Sequence, residues 1–141
     1  MRNRGTLIAY ADGAIGNGGR YTGVGAIIMN AKGRILRWGN RQLGTMTNNE
    51  AEYAGLVLAL DLVTALKPGR VDVYLDSEIV VGQMTGAFGV HSPALKTWHR
   101  RACHAARRLR RVTYSHVPRE RNRLADALAN EALGGHILHG P

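Results

Sequence analysis

Only ten acidic residues stand against nineteen Lys and Arg in these 141 residues, and four of the ten fall where carboxylates do chemistry. Asp12 ends an apolar run at residues 6–12, and Asp76 follows the run Val71-Asp72-Val73-Tyr74-Leu75. The carboxyl ends of strands are where open α/β sheets place their ligands. A turn-forming Asp after a strand is common for one such residue, and that explanation weakens for two on one sheet. Glu52, at about 100° per residue, shares a helical stripe with Leu56, Ala59, Val63 and Leu66, the face expected to lie on the sheet. Glu50 points to roughly the opposite side and has a structural explanation, because Thr47-Asn48-Asn49-Glu50 spells a capping box. Asp126 flanks the Ala125, Leu128, Ala129, Ala132 face of a later helical segment and, taken alone, reads as a surface acid. A carboxylate heading a buried stripe is costly without a compensating cation, and no Lys or Arg occupies the matching helical positions. Together the four acids make a set of hard oxygen ligands suited to Mg²⁺ or Mn²⁺. Two such ions, roughly 3.5–4 Å apart, would steady both the attacking and the leaving oxygen of a phosphodiester.

The remaining composition points the same way. The formal charge is +9, and nine arginines crowd residues 100–123 with Glu120 as the single acid there. A domain this basic meets polyanions, of which nucleic acid is the commonest, although a solvated arginine-rich face has the same composition. An apolar content of 45% excludes disorder, and 141 residues support a single domain, residues 1–141. Asp61 interrupts the greasiest stretch, residues 56–66, so no membrane span is expected. The basic start, residues 1–4, is not followed by a signal-peptide pattern, since Asp12 cuts the next apolar segment short. One cysteine cannot form an intramolecular disulfide, which predicts a reducing, cytoplasmic setting. No obligate protein partner is evident.

The elements that must hold these acids can be read from periodicity and punctuation. Strands are predicted at residues 6–12, 21–30, 33–43, 71–76 and 112–117, with a glycine-rich loop at 13–19. Helices are predicted at residues 48–66, 77–84, 93–110 and 122–133. The order βββαβααβα is an antiparallel meander joined to parallel strands through helical crossovers, an α/β sheet with helices on it.

Four segments in this order resemble the signatures of type 1 ribonuclease H: Tyr10-Ala11-Asp12-Gly13-Ala14, Thr47-Asn48-Asn49-Glu50-Ala51-Glu52, Leu75-Asp76-Ser77 and Asn122-Arg123-Leu124-Ala125-Asp126. The resemblance covers residues 7–133. It implies a ribonuclease H-like fold, a five-stranded mixed sheet with helices on both faces. It implies cleavage of the RNA strand of RNA–DNA hybrids, leaving 3′-hydroxyl and 5′-phosphate ends, with Asp12, Glu52, Asp76 and Asp126 as the catalytic metal ligands. Asn48 and Asn49 match asparagines that read the hybrid's minor groove, and Asn17 and Thr47 match positions near a phosphate of the DNA strand. His116 stands ten residues before Asp126, where the family often carries a mobile histidine that assists proton transfer or product release. Two departures stand out. Glu78 replaces a glutamine common two residues after the third acid, and a short loop at residues 86–92 replaces the Lys- and Trp-rich protrusion of many bacterial members.

The segment at residues 93–110 offers a substitute for that protrusion. Leu95, Trp98, Ala102, Ala105, Ala106 and Leu109 share one face, and Lys96, Arg100, Arg107 and Arg111 another. Arg100 and Arg107, with Arg119 further along, are candidates to hold DNA phosphates, and a solvated amphipathic face explains the same pattern. His99 and Cys103 have metal-ligand spacing but no further clustered ligand, a poor case for zinc. Two other functions remain open on sequence alone: a non-catalytic hybrid- or duplex-binding module, and a different nuclease on the same fold, of resolvase or transposase kind. The full set of acids disfavours the first, since a pure binder gains nothing from negative charge facing phosphate. The Thr-Asn-Asn run before Glu52 disfavours the second.

Overall fold

The computed structural model describes residues 5–140, apart from the side chain of Asn17. Strands β1 (Thr6–Ile15), β2 (Thr22–Asn30) and β3 (Ile35–Leu43) form an antiparallel meander, followed by α1 (Asn48–Thr64) and β4 (Arg70–Leu75). Then come α2 (Glu78–Thr85), α3 (Pro93–Ala106), β5 (Val112–His116), α4 (Arg123–Leu133) and a two-residue β6 (His139–Gly140). The sheet order is β5-β4-β1-β2-β3-β6, with β4 parallel to both β1 and β5. The mixed sheet and the element order agree with the sequence reading. The sixth strand is an addition: two residues pairing with Trp38 and Gly39 of β3, too short to leave a periodic signal. Among the described residues, no helix is long and apolar enough to cross a membrane.

Helix α1 covers one face of the sheet, against Leu7, Ala9 and Ala11 of β1 and Val24, Ala26 and Ile28 of β2. Its Leu56, Ala59 and Val63 are fully buried, as the stripe requires, but so are Ala51, Tyr53 and Leu60. The single-stripe picture of α1 is therefore too narrow, because α3 packs along its other flank with Ala102 and Ala105 buried. Helix α4 lies on the opposite face, with Ala125, Ala129 and Ala132 fully buried.

Several glycines set how closely the helices approach, two of them on the strands beside the first acid. A Cβ on Gly13 would run into the backbone of Ala51 in α1, and one on Gly25 into the carbonyl of Ala125 in α4. Gly25 is the cross-strand partner of Asp12, so both helices press on the sheet beside the first acid. This corrects the loop expected at residues 13–19. Strand β1 continues to Ile15, and Gly13 is there to admit a helix rather than to break a strand. Helix α3 is also shorter than predicted, ending at Ala106, so Leu109 and Arg111 lie beyond it and only Arg107, its C-cap, remains of the last basic turn.

Candidate active site

The acids meet at the carboxyl end of the two central parallel strands. Asp12 lies near the end of β1 and is only 6% exposed, while Asp76 comes directly after β4. Glu52, in the first turns of α1, points back toward β1, and its Oε1 accepts the Gly13 N–H at 2.7 Å. Ligand atoms of Asp12, Glu52 and Asp76 all lie within 4.8 Å of one another. Asp126, in the first turn of α4, stands outside that set yet lies close enough to Asp12 to act on it by hydrogen bond and charge.

Like charges this close repel one another unless a cation compensates them. Burial pushes Asp12 up from 3.8 to about 7, with Asp76 and Asp126 adding repulsion. Glu52 is raised too, by burial first and then by the Asp12 and Asp76 charges. Burial and like charge together hold both groups above the ordinary carboxylate range. Among the described residues no Lys or Arg forms an ion pair with any of the three. All the donors are hard oxygens of like charge, so the donor set fits a divalent cation of the Mg²⁺ class. His99 and Cys103 do approach one another, with Sγ 3.6 Å from Nε2, but among the described residues no third ligand joins them.

The segment before Glu52 is built as its sequence predicts. Thr47 Oγ1 accepts the Glu50 N–H at 3.3 Å, and Glu50 Oε1 accepts the Thr47 N–H at 3.1 Å. The capping box leaves Asn48 exposed and Asn49 half-buried at the start of α1, on the same end of the helix as Glu52. Asn17 opens a 3₁₀ turn, Asn17–Gly19, and its side chain lies outside what the structure describes. His116, exposed at the end of β5, pairs in register with Leu75, one residue from Asp76. Arg119 is exposed on the 3₁₀ turn Arg119–Arg121 that leads into α4.

The basic face takes a different form. Arg100, Arg101, His104, Arg107 and Arg108 surround a surface groove floored by Val57 and Asp61 of α1. Asp61 pairs with Arg108 at 2.6 Å, whereas Arg100 and Arg107 have no acidic partner among the described residues. Three features here escaped the sequence reading. Glu50 has a second task, its Oε2 accepting the Trp98 indole N–H at 3.2 Å. Trp98 is half-buried and carries the Arg101 guanidinium 4.2 Å from its ring centroid, so it is both packing residue and platform. Asn122, buried beside Asp76, also went unassigned. Helical spacing within one segment could have suggested the Trp98–Arg101 pair, but nothing local could have suggested the other two.

Comparison with known proteins gives a consistent picture. Residues 10–132 match the family described as reverse transcriptase-like. The chain is 39% identical over 128 residues to a bifunctional protein of Mycobacterium tuberculosis, Rv2228c, covering 90% of this chain and 35% of that protein. It is 36% identical over 129 residues to ribonuclease HI of Halobacterium salinarum, covering 92% of this chain and 65% of that one. The chain thus spans about a third of the mycobacterial relative. Among solved structures it resembles LC11-RNase H1 in complex with an RNA/DNA hybrid, with a TM-score of 0.86, 33% identity, and coverage of 92% of this chain and 97% of that one.

Proposed function

This chain belongs to the ribonuclease H family of reverse transcriptase-like domains, and from that membership we propose that it is a metal-dependent endonuclease cutting the RNA strand of RNA–DNA hybrids. The observation that carries the reading is the Asp12–Glu52–Asp76 cluster, three mutually repelling carboxylates within 4.8 Å with no Lys or Arg paired to them among the described residues. A protein gains nothing from such a cluster in isolation, and phosphate would be repelled by it.

Asp12, Glu52, Asp76 and Asp126 would hold two Mg²⁺ ions, with Mn²⁺ able to substitute. When bound, such ions supply charge stabilisation to the attacking and leaving oxygens of an in-line displacement, which leaves 3′-hydroxyl and 5′-phosphate ends. Gly13 fixes Glu52 by its N–H, so that carboxylate enters the site with one oxygen already placed. His116, exposed beside the end of β4, takes or gives a proton near the leaving group. Asn48 and Asn49 offer amides to the minor groove, where the 2′-hydroxyl distinguishes RNA from DNA. Asn17 and Thr47 serve a phosphate of the DNA strand, and Arg100, Arg107 and Arg119 supply further phosphate contacts that hold without reading sequence. The hybrid is the partner, and the lone thiol of Cys103 accords with a cytoplasmic setting.

The test is incubation with end-labelled RNA–DNA, RNA–RNA and DNA–DNA duplexes in Mg²⁺, Mn²⁺ or EDTA. Cleavage confined to the RNA of the hybrid, and absent in EDTA, is the expected result. Tight binding without cleavage in either metal would mark a binding module, and cleavage of DNA–DNA would mark another nuclease.

A further inference from the structure

Asn122 occupies the N-cap position of α4 but does not cap it. A side chain there ordinarily accepts one of the first helical N–H groups, and Asn122 makes no such bond. It is 1% exposed, and its Nδ2 instead donates to the Ala11 carbonyl at 2.8 Å and to Asp76 Oδ2 at 3.2 Å. Its main-chain carbonyl accepts the Asp126 N–H at 3.1 Å. One residue therefore joins β1 immediately before Asp12, the end of β4 at Asp76, and the turn of α4 that bears Asp126.

The orientation of the amide follows from its partners. Turned over, Oδ1 would face two acceptors, so the assigned arrangement is the one the network permits. In that arrangement Oδ1 is buried with no hydrogen-bond partner. An unsatisfied buried acceptor subtracts from stability, and so does a forgone helix cap. The donor side of the amide is what accounts for the residue.

We propose that Asn122 is a positioning residue for the carboxylate cluster. By holding Asp76 Oδ2 and the Ala11 carbonyl on one amide, it fixes the spacing of Asp12 and Asp76 and the orientation of the Asp76 carboxylate at the shared site. Partners behind a ligand carboxylate commonly orient it in this way. This inference rests on the reading that the acids bind divalent ions.

The experiment titrates Mn²⁺ alone into the full chain by calorimetry, without nucleic acid, and measures kcat and KM on hybrid in parallel. Asn122→Leu replaces the amide by an apolar group of similar size, removing donor and orphan acceptor together. Asn122→Ser is too short to span both acceptors, and Asp76→Asn serves as reference. In both Asn122 variants the Mn²⁺ dissociation constant should rise about 10–100-fold. The kcat should fall comparably at fixed Mg²⁺, with KM for hybrid held within about twofold, the mark of a lost transition-state interaction. Wild-type Mn²⁺ affinity in a folded Asn122 variant, while Asp76→Asn binds weakly, would overturn the inference and leave the metal reading standing. Wild-type Mn²⁺ affinity in Asp76→Asn would overturn both. Lower stability with unchanged Mn²⁺ affinity and kcat, or failure of both Asn122 variants to fold, would assign Asn122 a structural role and overturn the proposal.

Discussion

The carboxylate end of the sheet and the arginine face of α3 are both charged, yet they are built by opposite rules. The acids come from residues 12, 52, 76 and 126, on four separate elements, and three of them crowd against like charge. The arginines come from one helix and the turn after it, stand in water, and have room to avoid one another. The first group is held against its own solvation, which only a ligand repays. The second is held at almost no cost, so its presence says little until it is tested. Charge that the fold must force together identifies chemistry, whereas charge that the fold merely displays identifies at most a grip.

The sharpest way to break the comparison is at the acids. Asp76→Asn should lower the cleavage rate by at least about a thousandfold, since metal stabilisation of the transition state is worth several kcal/mol. Hybrid binding should stay intact or tighten, because a repulsive charge is removed. Gel-shift and cleavage assays on the same preparation read both, and full activity in Mg²⁺ would end the metal-site assignment.

The pH dependence of stability comes next. Asp12 and Glu52 have folded pKa values above their unfolded ones, so their contribution is complete below about pH 4 and is lost as pH rises, through about 7 for Asp12 and about 10 for Glu52. In EDTA the melting temperature should therefore fall across that window. Mg²⁺ should restore several degrees, and more at pH 8 than at pH 5. A melting temperature in EDTA that rises from pH 5 to pH 8, with no Mg²⁺ effect, would mean the acids do not repel.

Glu50 joins the two regions, capping α1 with one oxygen and holding Trp98 under Arg101 with the other. Glu50→Ala should cost about 1 kcal/mol of capping, with a similar further loss for the indole hydrogen bond, and leave kcat unchanged. A collapse of kcat instead would place Glu50, not Glu52, on the catalytic side of α1. The smallest effect belongs to the arginines. Replacing Arg100 and Arg107 together by Gln should raise KM several-fold at constant kcat and flatten the log–log salt slope by about one unit per lost phosphate contact. An unmoved KM and slope would leave this face as solvated surface.

The sequence revealed what is periodic or punctuated: the meander, the parallel strands, the capping box and the phase that set Glu52 apart from Glu50. It misread Gly13 as a loop residue because close approach of α1 and a chain break call for the same amino acid. It extended α3 through residues 107–110 because the amphipathic spacing runs past the point where the chain turns toward β5. It singled out the four acids but not Asn122, whose partners at Ala11 and Asp76 are 111 and 46 residues away. An asparagine before a helix has a sufficient local explanation in capping, and only the geometry shows that explanation to be wrong.

The central claim is that the acidic end gives up stability for chemistry, and Glu52→Gln tests it in one variant. Gln retains an oxygen for the Gly13 N–H and removes the charge. At pH 8 in EDTA this variant should melt at a higher temperature than the wild type, and in Mg²⁺ it should fail to cleave the hybrid. A lower melting temperature together with retained cleavage would contradict the claim.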